Sequence, residues 1–136
     1  GTIIPVNPSG GELMGLKVYE DVRQANTSVD LSIIVVPNKG VKAAIESSVK
    51  AGAKAICVIT AGFKEVGAAG ADAEKELADY CRRHKVRLLG PNCLGLINTQ
   101  NHMNASFSSQ MPRPGGISKV FSGISCGPIS GGSLCA

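Results

Sequence analysis

The sequence predicts an α/β fold, a parallel sheet with helices on both faces. Three observations lead there. Leu31 to Val36, Ala55 to Thr60 and Val86 to Leu89 are short, almost continuously apolar runs, the pattern of strands covered on both sides. Two stretches with helical spacing lie between them, so strand and helix alternate as in βαβ units with right-handed crossovers. Each run stops abruptly, at Pro37-Asn38, Ala61-Gly62 or Gly90-Pro91, where the chain must turn.

Before these units, Thr2 to Val6 is β-branched and apolar and reads as a strand, broken by Asn7-Pro8-Ser9-Gly10-Gly11. Glu12 to Asn26 has no clear period, though Asp21 is placed to cap a short helix through Gln24. The helix after Asn38 runs to about Ala51: Val41, Ala44, Ile45, Ser48 and Val49 form one stripe, and Gly52 supplies the left-handed stop. A second helix is expected from about Asp72 to His84, with acids in its first turns and bases in its last. Its expected buried face is Ala73, Leu77, Tyr80, Cys81 and His84. After Leu89, Gly90-Pro91 and Gly95 hold Asn92 and Cys93 on a stiff loop at a strand's carboxyl end, where open parallel sheets bind ligands. From Ser108 the composition turns to Gly, Ser and Pro. Met111 to Gly116 reads as a linker, Ile117 to Phe121 as a strand, and Ser122 to Ala136 as coil. The expected division is therefore 1–107 and 108–136, the second unit barely begun.

Composition narrows the function. Charged residues make up 18% of the 136, and the net charge of +4 has no basic cluster with interleaved aromatics, which excludes a typical nucleic-acid surface. Arg82-Arg83-His84-Lys85 is the one dense run, and it complements a helix carboxyl end. No apolar run approaches membrane-spanning length, and no leader opens the chain. The five cysteines form no C-x-x-C pair and match no zinc spacing, so no metal is expected. Reduced thiols in a cytoplasm are the simplest account of them.

A full dinucleotide fold opens with a strand and a Gly-rich turn that docks the pyrophosphate. Here the chain starts at what reads as the second strand, so the sheet is expected to be incomplete at its N-terminus, its first strand and Gly loop missing. Asn7 stands where an NAD-binding strand ends in a carboxylate, which argues against NAD.

Four motifs occur in register: Pro5-Val6-Asn7-Pro8, Val35-Val36-Pro37, Ala61-Gly62-Phe63-Lys64-Glu65 and Gly90-Pro91-Asn92-Cys93-Leu94-Gly95. In order and separation they resemble the CoA-binding domain of the NDP-forming acyl-CoA synthetases, the group of ADP-forming acetate–CoA ligase and the succinyl-CoA synthetase α subunit. The resemblance spans about residues 2 to 107. It implies a Rossmann-like CoA domain, followed by a flavodoxin-like one. It also implies a reaction that joins a carboxylic acid to CoA with a nucleoside triphosphate, through acyl phosphate and a phosphohistidine. ATP or ADP and Mg would belong to the parent enzyme rather than to this segment. The partners implied are its remaining domains or a β-type ATP-grasp subunit.

By position, the resemblance assigns Val6, Asn7, Pro8 and Ser9 to the loop facing the CoA nucleotide. Ser9 stands where relatives often have lysine. Val36, Pro37 and Asn38 match the loop on the adenosine and pantetheine portion, and Gly62, Phe63, Lys64 and Glu65 the loop at the thiol end. Asn92 and Cys93 match the loop that meets the acyl group and phosphohistidine. Lys64 is the best-placed cation, read against a solvated pair with its neighbouring glutamate. For Cys93 the competing reading is a small packing residue in the turn. His84 and His102 match no phosphohistidine position, and a chain of this extent is expected to be inactive alone. The alternatives to a ligase fragment are a non-catalytic CoA- or nucleotide-binding module, a synthetase-like protein acetyltransferase domain and, disfavoured by Asn7, an NAD domain.

Overall fold

The computed structural model describes residues 1–109. An N-terminal hairpin, β1 (Gly11–Leu13) and β2 (Leu16–Val18), is followed by a 3-10 turn over Val22–Ala25. Then come β3 (Leu31–Ile34), α1 (Asn38–Lys50), β4 (Ala55–Val58), a second 3-10 turn (Lys64–Val66), α2 (Ala68–Arg83) and β5 (Arg87–Leu89). A second hairpin closes the described chain, β6 (Gly95–Asn98) and β7 (Met103–Ser106). No helix among the described residues is long and apolar enough to cross a membrane.

The sheet is parallel, in the order β3-β4-β5, with Ile33, Cys57 and Leu89 in one row and Ser32, Ile56 and Leu88 in the next. Both crossovers step in the same direction, so right-handed connections bring α1 and α2 onto the same face. The helices touch there, and Lys42 Nζ on α1 lies 2.6 Å from Glu76 Oε1 on α2. Ile34, Ile56 and Val58 from the sheet pack with Val41 and Ile45 of α1 and Leu77 and Cys81 of α2. Ser48 lies in this core as the stripe required. Its hydroxyl bonds the Ala44 carbonyl and the Ser32 hydroxyl, each at 2.8 Å, so no polar atom is orphaned.

The α/β class with a parallel sheet is the expected one. Among the described residues, however, the two helices expected on both faces share one, because both crossovers step the same way. Further details also differ from the sequence reading. Ile33 is 43% exposed and Val35 61% exposed, so β3 is open on the face away from the helices although its sequence is continuously apolar. Thr2 to Val6 forms no strand. It makes one parallel bridge, Val6 to Tyr19, because the backbone groups facing it are those of the chain leaving β2 rather than a sheet edge. The first hairpin was not expected: its strands are three residues each, too short to show alternation, and Met14 and Gly15 both adopt positive φ in the turn. α2 starts at Ala68 rather than Asp72, because the alanine-rich run before Asp72 is itself helix-forming. Its first turn therefore carries no acid, while Arg82 and Arg83 do sit in its last turn. Ala73 and His84 face solvent; the buried positions of α2 are Gly70, Leu77 and Cys81. Beyond residues 108 and 109, the expected linker and second domain lie outside the described residues.

Asp21 does cap the following turn. Its carboxylate accepts from Arg23 N at 2.8 Å and from the Ser47 hydroxyl of α1 at 2.7 Å, tying the N-terminal segment to the first helix. The Arg23 side chain, then the Arg23 amide and Ser47, hold this carboxyl far below the usual carboxylate range. A depressed folded-state pKa contributes stability above the unfolded value, and that contribution is lost as pH falls. Asp21→Ala is expected to cost about 1 kcal/mol at neutral pH by urea unfolding. The gap from the parent should narrow progressively below about pH 4.

Candidate functional site

The carboxyl ends of the three parallel strands open into three loops: Val35 to Pro37, Ile59 to Phe63, and Gly90 to Leu94. Hydrogen bonds join them. Thr60 lies between: its Oγ1 donates to the Val36 carbonyl at 2.7 Å, and its carbonyl accepts from Asn92 N at 3.0 Å. Asn38 Nδ2, at the start of α1, donates to the Gly62 carbonyl at 2.7 Å. The Cys93 thiol donates to the Val58 carbonyl at 3.3 Å, and its Sγ lies 3.6 Å from that of Cys57. One edge of the sheet thus carries Val36, Pro37, Asn38, Gly62, Phe63, Asn92 and Cys93 as a connected rim.

Burial divides these residues by role. Phe63 and Cys93 are buried and anchor their loops, while Pro37, Asn38 and Asn92 are exposed along the rim. Asn92 has a left-handed backbone, φ 57°, a conformation asparagine tolerates better than most residues. Gly90 must lack a side chain. Its φ is +87°, and a Cβ would stand 2.2 Å from the Val58 carbonyl oxygen.

The charged pair proposed for Lys64 and Glu65 is wired differently. Lys64 Nζ lies 3.5 Å from Glu74 on α2, and the Glu65 carboxylate accepts from the Gly62 amide. That backbone bond is the main reason the Glu65 carboxyl sits below its ordinary value. Glu65 therefore holds its own loop closed, and Lys64 braces the loop against α2. Pro37, the residue before α1, gives the helix no side-chain cap, and the Gly40 amide bonds the Pro37 carbonyl at 2.7 Å.

The fourth expected loop is separate. Val6, Asn7, Pro8 and Ser9 are all exposed. Asn7 N bonds the Tyr19 carbonyl at 2.9 Å, and Asn7 Oδ1 accepts from Ser9 N at 2.9 Å. These bonds stay within the N-terminal segment and none reaches the three-loop rim. Sequence reasoning missed Thr60, which it placed at the end of a strand. The available signal was a hydroxyl closing an apolar run just before the Ala61-Gly62 turn.

Residues 1–99 match the CoA binding domain family. The chain belongs to that family. It is 41% identical over 120 residues to an acetate–CoA ligase (ADP-forming) of Methanocaldococcus jannaschii, covering 88% of this chain and 17% of the relative. It is 42% identical over 107 residues to the alpha subunit of acetate–CoA ligase (ADP-forming) II of Pyrococcus furiosus, covering 79% and 23%. A solved structure similar to it is the dinucleotide-forming acetyl-coenzyme A synthetase 1 of Ca. Korarchaeum cryptofilum in complex with phosphate and ADP. The TM-score is 0.72 at 41% identity, over 76% of this chain and 22% of that one. The chain thus spans less than a quarter of the length of each of these proteins.

The match covers every residue of the rim, so this CoA binding domain carries the three joined loops inside its family-defining span. Because Gly90 has no room for a methyl group, Gly90→Ala is expected to destabilise the domain by more than about 1 kcal/mol in urea unfolding. Ser9→Ala, at an exposed position whose bond uses the backbone, should stay within about 0.5 kcal/mol of the parent.

Proposed function

We propose that the rim of Val36 to Asn38, Gly62 to Glu65 and Asn92-Cys93 holds CoA for an NDP-forming acyl-CoA synthetase of which this chain is the CoA-binding part. The observation that carries the reading is the hydrogen-bonded joining of three loops at the carboxyl edge of a parallel sheet, within residues that match a CoA binding family. The half-buried Val36 and exposed Pro37 suit the apolar parts of adenine and pantetheine. The uncapped start of α1 suits a phosphate. Val6 to Ser9 joins the site in this reading as the loop beside the nucleotide.

The parent enzyme would join a carboxylic acid to CoA at the expense of a nucleoside triphosphate, through acyl phosphate and a phosphohistidine. Asn92 and Cys93 would face the acyl end. Mg and ATP or ADP would be handled by other domains or by an ATP-grasp β subunit, a division consistent with a relative named as an alpha subunit. In this reading residues 1–107 form the CoA unit, residues from 108 lead to a further domain, and the setting is cytoplasmic.

Calorimetric titration with CoA, dephospho-CoA and NAD tests the assignment. CoA is expected to bind and NAD not to; binding of NAD without CoA would overturn it. Asn38→Ala removes the bond to the Gly62 carbonyl and should weaken CoA binding about fivefold, the equivalent of one net hydrogen bond. Gly62→Val is the poorer probe, since Gly62 has φ +101° and a Cβ there would lie 3.0 Å from Asn38 Nδ2.

A further inference from the structure

Cys93 of the rim meets a second thiol, Cys57 of β4, and the CoA assignment gives this contact no role. Cys57 and Cys93 are 36 residues apart in sequence, and their Sγ atoms are in contact at 3.6 Å. Cys57 is fully buried on β4, in the sheet row that faces away from the helices; Cys93, 6% exposed, sits on the loop above it. Cys81, the other free thiol among the described residues, is on the core-facing side of α2, on the opposite face of the sheet. A disulfide needs sulfurs about 2.05 Å apart, so closing the pair takes a shift of about 1.5 Å. The Cys93 loop is the movable partner, because β4 is paired on both sides while the loop is held by the Asn92 amide to the Thr60 carbonyl and by the Cys93 thiol to Val58.

We propose that Cys57 and Cys93 are a peroxide-responsive pair that closes into an intramolecular disulfide and locks the Gly90–Leu94 loop onto β4. The two thiols divide the work. On losing its proton Cys93 gives up its bond to the Val58 carbonyl, and a hydrogen bond from Cys57, which keeps its proton, favours the Cys93 thiolate. The Cys93 thiolate attacks one oxygen of hydrogen peroxide, breaking the O–O bond and forming a sulfenic acid with release of hydroxide. The Cys57 sulfur then attacks the Cys93 sulfur. Its proton leaves with the departing hydroxyl as water. The hydroxide takes up the proton that Cys93 had lost, so two thiols and one peroxide become one disulfide and two waters. The pair works through its own geometry, whichever ligand the rim takes.

The test exposes the protein to hydrogen peroxide, alkylates the remaining thiols and maps peptides without reduction. The expected product is a Cys57–Cys93 linked peptide, reversed by dithiothreitol, with Cys81 still alkylated. Amide exchange at Asn92 should slow in the oxidised protein. In Cys57→Ser, whose hydroxyl can still donate to Cys93, Cys93 should stop at the sulfenic acid and be labelled by dimedone; in Cys57→Ala, which lacks that donor, the labelling should be slower. The proposal is overturned if wild-type Cys93 accumulates as sulfenic acid without the crosslink, or if Cys93 links instead to Cys126 or Cys135. It also fails if Cys57 and Cys93 are both still alkylated under peroxide that oxidises a free thiol control.

Discussion

Everything at the rim is hung from the central strand. β4 pairs in parallel with β3 on one side and β5 on the other, and Ile56, Cys57 and Val58 are almost wholly shielded from water. A strand so placed cannot shift without breaking two ladders at once. Its continuation therefore provides fixed points for the neighbouring loops: the Val58 carbonyl takes the Cys93 thiol, and Thr60 reaches Val36 on one flank and Asn92 on the other. The loops are ordered because the strand is buried on both faces, and only secondarily because of their glycines and prolines.

That arrangement also sets the electrostatics of the edge. Glu65 turns back on the Gly62 amide, and Lys64 braces against Glu74 of α2. These exposed pairs add little to stability. They shape the loop after β4, and in the proposed reading its apolar walls and the start of α1 are what CoA would meet. Those are the groups that suit a nucleotide carrying a long pantetheine arm, and the CoA binding domain family supplies the independent reason to read them so.

The two faces of the sheet behave differently. One is sealed by α1 and α2; the other is filled beneath the Gly90–Leu94 loop by Cys57 and Cys93, while Ile33 and Val35 stay exposed. The thiol contact thus falls where the sheet is covered by a loop rather than by a helix. A loop can travel the short distance that bond formation requires far more readily than a packed helix can.

The amino-acid sequence by itself determined the alternation of strands and helices between Leu31 and Leu89, the stripe of α1, the cap at Asp21 and the family, through four spaced motifs. Each of these is local or periodic, so it can be read along the chain. Only the tertiary structure decided that both helices share a face, that β3 is half open despite its apolar run, and that Val6 to Ser9 bonds within its own segment rather than to the rim. It also decided that Thr60 ties the loops together and that Cys57 meets Cys93. These depend on strand order and on which face each residue takes. Contacts between residues 24 to 36 positions apart leave no periodic trace in the chain that makes them.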